Sequence, residues 1–308
     1  MSELLSIGEC MIELSASDGA DYRLGFAGDT LNTTWYLRAL LDPADWPTSF
    51  LTALGDDIYS DRMIAFFEEA GIQAGDIPRL TGKRPGLYLI HQENNDRRFT
   101  YWRDQSAARE LAEDPGLLAS VLARAGHVYF SGVTLAILPA EARTRLLAGL
   151  ESVRASGRGV AFDPNYRPVL WSSPVEARAA FERAGAVSEV VLPSFDDEQT
   201  LFGDADKSAT ADRYLGYGAD EVVVKSGPGP ALVVRGENRV EVAPDTTVEV
   251  PVDTTGAGDS FNGGYLASRL NRHEPPEAAK LAHRLAAKVV MHRGALMPMD
   301  KARAAVAG

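Results

Sequence analysis

The stretch DTTGAGDSFNGGYL, residues 253–266, contains four glycines and two acids, and one of the acids, Asp259, lies at the start of a predicted helix. A glycine-rich turn that leads into a helix exposes backbone N–H groups at the positive end of the helix dipole, which favours a bound phosphate. Asp259 follows that turn directly. A carboxylate beside such an anion hole can take a proton from an alcohol while the hole stabilises a transferring phosphoryl group. The stretch therefore predicts a kinase that acts on a hydroxyl group.

A purely structural role, or a different class of enzyme, accounts for this stretch less well. Taken alone, Asp259 also fits an N-cap or first-turn acid. Gly263 and Gly264, however, each cost about 1 kcal/mol of helix propensity, which predicts that another group comes close to that backbone. The chain has no GxxxxGK[ST], HRD or DFG motif, so neither a P-loop enzyme nor a protein kinase is expected. A hydrolase that uses Ser260 as nucleophile would need a positioned base, which the sequence does not offer.

The amino-acid composition excludes several classes of protein. The 308 residues are 45% hydrophobic, enough for a large core in one α/β domain or two smaller ones. The net charge of −12 argues against a nucleic-acid partner, and the chain lacks an apolar run long enough to span a membrane. Cys10 is the one cysteine, so disulfides are excluded and a cytoplasmic location is expected. The five histidines form no zinc motif.

Short β-branched runs alternate with helical patterns through most of the chain. The runs are HVYFSG (127–132), GVAFDPN (159–165), EVVLPS (189–194) and EVVVKSG (221–227). Pro139 and Pro174 mark helix starts, and Gly157 and Gly185 mark helix ends. Repeated βαβ units predict an α/β fold with a mainly parallel sheet and helices on both faces. ALVVRG (231–236) and RVEVAP (239–244) predict an antiparallel edge.

Two early regions predict hairpins instead. Residues 87–104 form two strand patterns joined through Asn94, Asn95 and Asp96, and CMIELSA (10–16) with YRLGFAG (22–28) forms another pair. Alternation places Tyr101 and Arg103 on one face of their strand and Trp102 on the other, although such a pattern is also typical of a half-buried sheet edge. We expect one domain over 1–308, with a discontinuous β lid built from about 10–35 and 83–105.

The opening stretch, extended to DTTGAGDSFNGGYLASRL, closely resembles the C-terminal signature of the ribokinase-like (PfkB) carbohydrate kinases, Asp-Thr-x-Gly-Ala-Gly-Asp-x-Phe. The resemblance continues through GECMIELS (8–15), GFAGDTLNT (25–33), TALGDD (52–57), RPGLY (84–88), FDPNYRPVLW (162–171) and VVVKSG (222–227). It implies a ribokinase-like three-layer fold with a small β lid. The implied activity is ATP-dependent phosphorylation of the terminal hydroxyl of a sugar acid. A neutral hexose is the alternative substrate, and the sequence leaves the epimer of the acid open.

The resemblance also implies roles for individual residues. Asp259 is the implied general base, and the anion hole consists of the amides of Gly256, Ala257 and Gly258. The residues expected to bind the sugar are Gly28, Asp29, Asn32, Tyr88, Tyr101, Arg103 and Arg167. Those expected to bind ATP are Asn165, Ser194, Lys225, Gly227 and Gly229. A noncatalytic sugar-acid sensor would keep the arginines but would not need Asp259.

Four further expectations concern Arg167, the magnesium ligand, the cofactors and the oligomeric state. A guanidinium at Arg167 can bind a carboxylate or a phosphate bidentately, although pairing with Asp163 or with a helix acid accounts for it equally well. The family has Asn-x-x-Glu where this chain has Ser194-Phe-Asp-Asp197 followed by Glu198, so Asp197 or Glu198 is the candidate magnesium ligand. The implied cofactors are ATP and Mg²⁺, with a monovalent cation as a further candidate. Apolar outer faces of the lid strands predict a homo-oligomer.

Overall fold

The computed structural model describes residues 3–16, 21–93, 96–246 and 248–307. Its strands are β1 (Glu3–Ile7), β2 (Met11–Ala16), β3 (Tyr22–Ala27), β4 (Thr48–Leu51), β5 (Leu54–Gly55), β6 (Arg79–Leu80), β7 (Leu87–Glu93), β8 (Asp96–Trp102), β9 (Ala125–Ser131), β10 (Gly159–Asp163), β11 (Val190–Val191), β12 (Glu221–Val224), β13 (Ala231–Arg235) and β14 (Asn238–Val242). Its helices are α1 (Asp29–Leu40), α2 (Ile58–Glu69), α3 (Pro115–Arg124), α4 (Gly132–Ile137), α5 (Ala140–Ala155), α6 (Pro174–Val187), α7 (Phe195–Phe202), α8 (Lys207–Tyr217), α9 (Ala257–Leu270), α10 (Pro275–Val289) and α11 (Met299–Val306).

The main sheet has eight strands in the order β14-β13-β12-β11-β10-β9-β1-β4. Neighbours from β12 to β4 pair in parallel, whereas β13 and β14 are antiparallel to their neighbours. The predicted parallel sheet with an antiparallel edge is therefore confirmed. The carboxyl ends of β10, β11 and β12 lie side by side, at the edge where open α/β sheets bind ligands.

Helices cover both faces of this sheet. Leu4 packs in one core cluster with Tyr129 and with Phe261 of α9, and its neighbour Leu5 packs in another with Val128. Successive strand residues point to opposite faces, so β1 is buried on both sides. This arrangement makes three layers and confirms the predicted fold class. Among the described residues, no helix combines the length and apolar character that a membrane span needs.

The two predicted hairpins form a separate four-stranded sheet. Its order is β3-β2-β7-β8, with antiparallel pairs β2–β3 and β7–β8 and a parallel pair β2–β7. The predicted turn residues Asn94 and Asn95 lie outside the described residues. The first lid segment was expected over 10–35, but its last strand ends at Ala27 and the chain continues into α1, which packs against α9.

The glycines act partly as predicted. Gly157, with φ 78°, follows the end of α5 as expected. The expectation that Gly185 ends a helix is wrong, because α6 continues to Val187. A Cβ at Gly185 would lie 3.1 Å from the ring of Tyr214, so the glycine allows α6 and α8 to pack closely.

The glycines inside α9 have the same purpose. A Cβ at Gly263 would lie 2.6 Å from the Cβ of Tyr36 in α1, and one at Gly264 would lie 3.1 Å from the Cα of Ala282 in α10. The predicted close approach to this backbone exists, and neighbouring helices make it. The packing holds α9 firmly, so the position of its N-terminus is set by the core.

Candidate active site

The loop before α9 presents backbone amides at the N-terminus of that helix. Gly256 is the N-cap, with φ 77°, and a Cβ there would lie 3.0 Å from Ala295, so only glycine fits without strain. Within the described chain the amides of Gly256 and Gly258 have no hydrogen-bond partner, whereas Ala257 N donates to Thr254 O at 3.2 Å. Two of the three amides expected to form the anion hole are therefore available, and the third closes the turn.

The buried carboxylate of Asp253 stabilises this loop through hydrogen bonds. Asp253 is 5% exposed. Its Oδ1 accepts from Thr255 N at 2.9 Å and its Oδ2 accepts from Gly294 N at 2.6 Å. These bonds tie the loop to the segment that follows α10, so the amides of the anion hole are held in place before a ligand arrives.

Asp259 lies in the first turn of α9, beside these amides. Its Oδ2 accepts a 2.7 Å hydrogen bond from Asn32 Nδ2. The pKa of Asp259 is raised to about 7, chiefly by burial and then by the nearby charge of Asp29, while Asn32 and Lys225 oppose the shift. A general base works best when its pKa lies near the operating pH. The carboxylate is thus suited to accept a proton from an alcohol at neutral pH.

The start of α1 faces the end of β10 across the site. Asn165 Nδ2 donates to Asp29 Oδ2 at 3.0 Å, and Asn165 adopts φ 37°, a strained conformation for a residue other than glycine. Gly28 is the N-cap of α1, and a Cβ there would lie 2.1 Å from the carbonyl oxygen of Glu9. The close approach expected at Gly28 is therefore made by the chain itself. The structure thus brings together two predicted sugar contacts, Asp29 and Asn32, and one predicted ATP contact, Asn165.

A buried polar network lies beneath the anion hole. Lys225 Nζ donates to Asn262 Oδ1 at 2.8 Å and lies 3.5 Å from Asp163 Oδ1. Asn262 Nδ2 donates to Asp163 Oδ2 at 2.7 Å and to the hydroxyl of Tyr129 at 3.3 Å. Asp163 and Asn262 are not among the residues that the sequence predicts. The position of Asn262, three residues beyond Asp259 on the same helix face, is the signal that could have identified it.

The loop that is expected to bind the nucleotide, residues 225–230, uses one of its amides for its own turn. Ser194, the N-cap of α7, bridges to Lys225 at the sheet edge. Gly227 is exposed with φ 48°, whereas Gly229 N donates to Ser226 O at 2.8 Å. The expectation that the amide of Gly229 is available for ATP is therefore corrected, because the turn already uses this donor. Gly227 stays a candidate.

The two candidate magnesium ligands have different environments. Asp197 is partly exposed and faces the guanidinium of Arg167 at 3.4 Å. Glu198 is fully buried, accepts from Arg213 Nη2 at 2.8 Å and is bonded by the hydroxyl of Tyr214. Helical geometry turns Glu198 into the core, so its expected role as a metal ligand is corrected to a structural one. Asp197 is the remaining candidate.

The two arginines that are expected to bind the sugar, Arg167 and Arg103, also differ in their burial and in their ion-pair partners. Arg167 is half exposed at the sheet edge, where it pairs with the helix acid Asp197, one of the two arrangements that the sequence leaves open. Arg103 is 9% exposed and its Nη2 pairs with Oε2 of Glu9, which is 1% exposed. The expectation that the charge of Arg103 is open to a substrate is therefore corrected, because a buried carboxylate of the chain already neutralises it.

The lid tyrosines lie on a shared face. Tyr88 and Tyr101 are cross-strand partners with ring centroids 5.7 Å apart. The hydroxyl of Tyr88 donates to Glu13, and Tyr101 is 48% exposed. The guanidinium of Arg103 lies 5.9 Å from the centre of the Tyr101 ring, so these two share a face as alternation predicts. An exposed aromatic ring on this face can pack against the apolar side of a sugar.

Comparison with known proteins identifies the family. The model of the "pfkB family carbohydrate kinase" matches residues 1–302. The chain is 42% identical over 299 residues to 2-dehydro-3-deoxygluconokinase of Dickeya dadantii and 39% identical over 299 residues to that of Escherichia coli K12, with 96% of each chain covered in both cases. A structure of a putative ribokinase II from Escherichia coli, in complex with ATP and Mg²⁺, superposes with a TM-score of 0.86 at 22% identity, covering 100% of this chain and 99% of that chain. The chain therefore belongs to the pfkB family of carbohydrate kinases.

Proposed function

We propose that this chain transfers the γ-phosphoryl group of ATP to the C6 hydroxyl of 2-keto-3-deoxygluconate, the acid also called 2-dehydro-3-deoxygluconate. The observation that carries the proposal is Asp259, a carboxylate with a pKa of about 7 beside the available amides of Gly256 and Gly258. Relatives with the name 2-dehydro-3-deoxygluconokinase support the substrate.

Each group has a defined task in the transfer. Asp259, oriented by Asn32, takes the proton of the attacking hydroxyl. The amides of Gly256 and Gly258, at the positive end of α9, bind oxygens of the phosphoryl group as their charge grows. Asp29 supplies an acceptor for the sugar hydroxyls, and Asn165, which donates a hydrogen bond to Asp29, is the expected contact to ATP. Phosphoryl transfer needs mainly positioning and charge stabilisation, which these groups provide.

The residues fit Mg²⁺ bound together with ATP. In the described residues no three metal-binding side chains cluster, whereas Mg²⁺ commonly uses one or two carboxylates plus substrate phosphates. Asp197, partly exposed in the first turn of α7, is the carboxylate that would hold it. The ion neutralises charge on the phosphates when bound. The measurement is the Mg²⁺ concentration that each variant requires for activity. It should increase in Asp197→Asn and stay unchanged in Asp196→Asn, the variant of the exposed neighbour.

A role for a monovalent cation stays a prediction, which is tested by replacing K⁺ with tetramethylammonium.

Recognition of the acid would then depend on Arg167. Its side chain is half exposed at the site edge, whereas Arg103 is committed to Glu9. A guanidinium can bind a carboxylate through two parallel hydrogen bonds. Asp197, 3.4 Å from Arg167, would hold the Mg²⁺ that neutralises the ATP phosphates, and Arg167 would bind the carboxylate of the sugar acid.

The four-stranded sheet acts as a lid and as an oligomer contact in this proposal. Closure over the sugar would exclude water, so ATP hydrolysis without sugar acid should be very slow, and rapid hydrolysis would contradict it. On the face opposite Tyr101, Trp102 is 57% exposed, and a second copy of the chain is its expected partner. Sedimentation of the wild type and Trp102→Glu measures this contact.

The buried, free Cys10 agrees with a cytoplasmic location.

One assay tests the substrate. ADP formation is measured with 2-keto-3-deoxygluconate, its galactonate epimer, fructose and no acceptor. The proposal expects the highest kcat/KM for 2-keto-3-deoxygluconate. Equal efficiency with fructose would replace the substrate by a neutral hexose, and preference for the epimer would replace it by 2-keto-3-deoxygalactonate.

A further inference from the structure

One face of α1 connects the predicted sugar contacts to the core. Four side chains with the spacing i, i+3, i+4 and i+7 lie along this face, namely Asp29, Asn32, Thr33 and Tyr36. Asn32 donates to the carboxylate of Asp259, and Thr33 Oγ1 donates to the backbone oxygen of Asp259 at 3.2 Å. The first turns of this helix face therefore orient the base.

Tyr36, at the far end of that face, reaches the segment that follows α10. Its side chain is fully buried, and its hydroxyl donates to Ala295 O at 2.5 Å and accepts from Met297 N at 3.0 Å. Burial raises the pKa of Tyr36 above its usual value, so the hydroxyl stays protonated and remains a donor at neutral pH. The neighbouring Trp35 donates from Nε1 to Met297 O at 2.8 Å. Segment 295–297 is therefore fixed to α1.

Ala295 in turn lies against the N-cap of α9. A Cβ at Gly256 would lie 3.0 Å from the Cα, the Cβ and the carbonyl oxygen of Ala295. One residue earlier, Gly294 N donates to Asp253, which begins the same loop, at 2.6 Å. The loop that carries the anion-hole amides thus packs against a segment whose position Tyr36 determines.

The ring and the hydroxyl of Tyr36 have separate effects. The ring fills the space between α1 and α9, where Gly263 allows the close approach, and this packing stabilises the fold. The hydroxyl adds two hydrogen bonds that fix segment 295–297 relative to α1. Because α1 also orients Asp259 through Asn32, one helix determines where the base lies relative to the anion hole.

We propose that Tyr36 is a positioning residue whose hydroxyl, acting through Ala295 and Gly256, sets the distance between the anion hole and the carboxylate of Asp259. This rests on the proposed function. Phosphoryl transfer depends on holding the attacking oxygen and the phosphoryl group in line. A displaced anion hole therefore slows the transfer more than it weakens the binding of ATP or of the sugar acid.

Tyr36→Phe removes the hydroxyl and keeps the buried ring. We expect kcat to fall by about 10-fold or more, with the KM of the sugar acid and the Kd of ADP changed by less than about twofold. ADP with Mg²⁺, aluminium fluoride and sugar acid mimics the transferring group. Calorimetry should show that the variant loses affinity for this complex by a factor similar to its loss of kcat. The acidic limb of the pH profile should not move, because the hydrogen bond from Asn32 to Asp259 is kept.

Tyr265→Phe is the matched control for a purely structural effect. Tyr265 is also fully buried, and its hydroxyl donates at 2.7 Å to Glu221, at the end of β12 opposite the site. Both variants should lower the midpoint of thermal unfolding, but kcat of Tyr265→Phe should stay within about twofold of wild type. An unchanged kcat in Tyr36→Phe, or an equal loss of kcat in both variants, would overturn the proposal. So would a loss of ADP affinity as large as the loss of kcat, or a shifted acidic limb.

Ala295→Val tests the same contact and keeps the tyrosine. Its added methyl groups press against Gly256, so kcat should again fall by about 10-fold, with little change in the Kd of ADP. In the double variant with Tyr36→Phe, the loss of kcat should be smaller than the product of the two single losses, because both changes displace one contact. Full additivity, or wild-type kcat in Ala295→Val, would overturn the proposal.

These measurements do not depend on the identity of the sugar. Fold-changes are measured with whichever acceptor the substrate panel identifies, so a wrong substrate assignment leaves the test of Tyr36 intact. A wild-type chain that phosphorylates no sugar would overturn the proposed function and this inference together. An active wild type with an equally active Tyr36→Phe variant overturns this inference alone.

Discussion

Asn32 Nδ2 donates a 2.7 Å hydrogen bond to Asp259 Oδ2, although the two residues are 227 positions apart in the chain. The bond joins the first turn of α1 to the first turn of α9. It leaves the carboxylate of Asp259 oriented and partly buried, next to the amides of Gly256 and Gly258. Orientation of the base before the substrate binds is one source of catalytic rate.

Replacing the base should abolish most of the activity without unfolding the chain. Asp259→Asn keeps the size of the side chain but cannot accept the proton, so we expect kcat to fall by about 100-fold or more. Steady-state kinetics and thermal unfolding measure the two properties. Asp196→Asn, which neutralises an exposed acid in the first turn of α7, is the control and should behave like wild type. Near-normal turnover in Asp259→Asn would contradict the assignment.

The pH profile should report the same carboxylate. The pKa of Asp259 is raised to about 7, and the base works only when deprotonated, so kcat/KM should decrease as the pH falls below about 7. The hydrogen bond from Asn32 lowers this pKa, so Asn32→Ala should move the acidic limb to higher pH. A limb that stays in place in Asn32→Ala, or one near pH 4 in the wild type, would argue against Asp259 as the titrating base.

Arg167 should distinguish an acid from a neutral sugar. A charge-assisted hydrogen bond is worth about 1.5 to 3 kcal/mol, so Arg167→Leu should lower kcat/KM for the sugar acid by about 10- to 150-fold. The effect on fructose should be much smaller, because fructose has no carboxylate. Arg183→Leu, an exposed arginine on α6, is the matched control. Equal losses on both substrates would mean that Arg167 contacts phosphate instead.

Arg103 should stabilise the folded chain through its ion pair with the buried Glu9. Arg103→Leu leaves a buried carboxylate without its partner, which costs about 3 to 5 kcal/mol. Burial raises the pKa of Glu9, and Arg103 opposes this, so the unpaired acid should be protonated more readily in the variant. Unfolding in urea measures the loss, and the double variant Glu9→Leu/Arg103→Leu should recover part of it. The exposed Arg62→Leu should change stability by less than about 0.5 kcal/mol, and an equally small effect of Arg103→Leu would disprove the buried pair.

Local patterns were enough to predict the fold class and the glycine turn at the start of α9. Apolar runs of strand length alternate with helical periods through residues 127–227, and their order implies a parallel sheet because βαβ connections allow few other arrangements. The turn at 253–258 and the acid that follows it lie within one short segment. Both hairpins likewise depend on neighbouring residues.

The roles of the charged side chains could not be predicted in this way. Glu198 and Asp197 are adjacent in the chain, yet one pairs with Arg213 in the core and the other faces Arg167 at the site. Which partner a charge finds depends on the packing of helices that are distant in sequence. Helix α7 turns one acid inward and its neighbour outward, and the sequence shows only that both are acids.

The amino-acid sequence by itself therefore determined the layered α/β fold, the glycine turn and the position of Asp259 directly after it, because the interactions that define them are local. Only the tertiary structure decided that Glu9 neutralises Arg103, that α1 and α10 require the glycines of α9, and that Asp163 and Asn262 hold Lys225. The physical reason is that charge pairing and close packing depend on distances in space. Residues far apart in the chain come within these distances only when the sheets and helices are assembled.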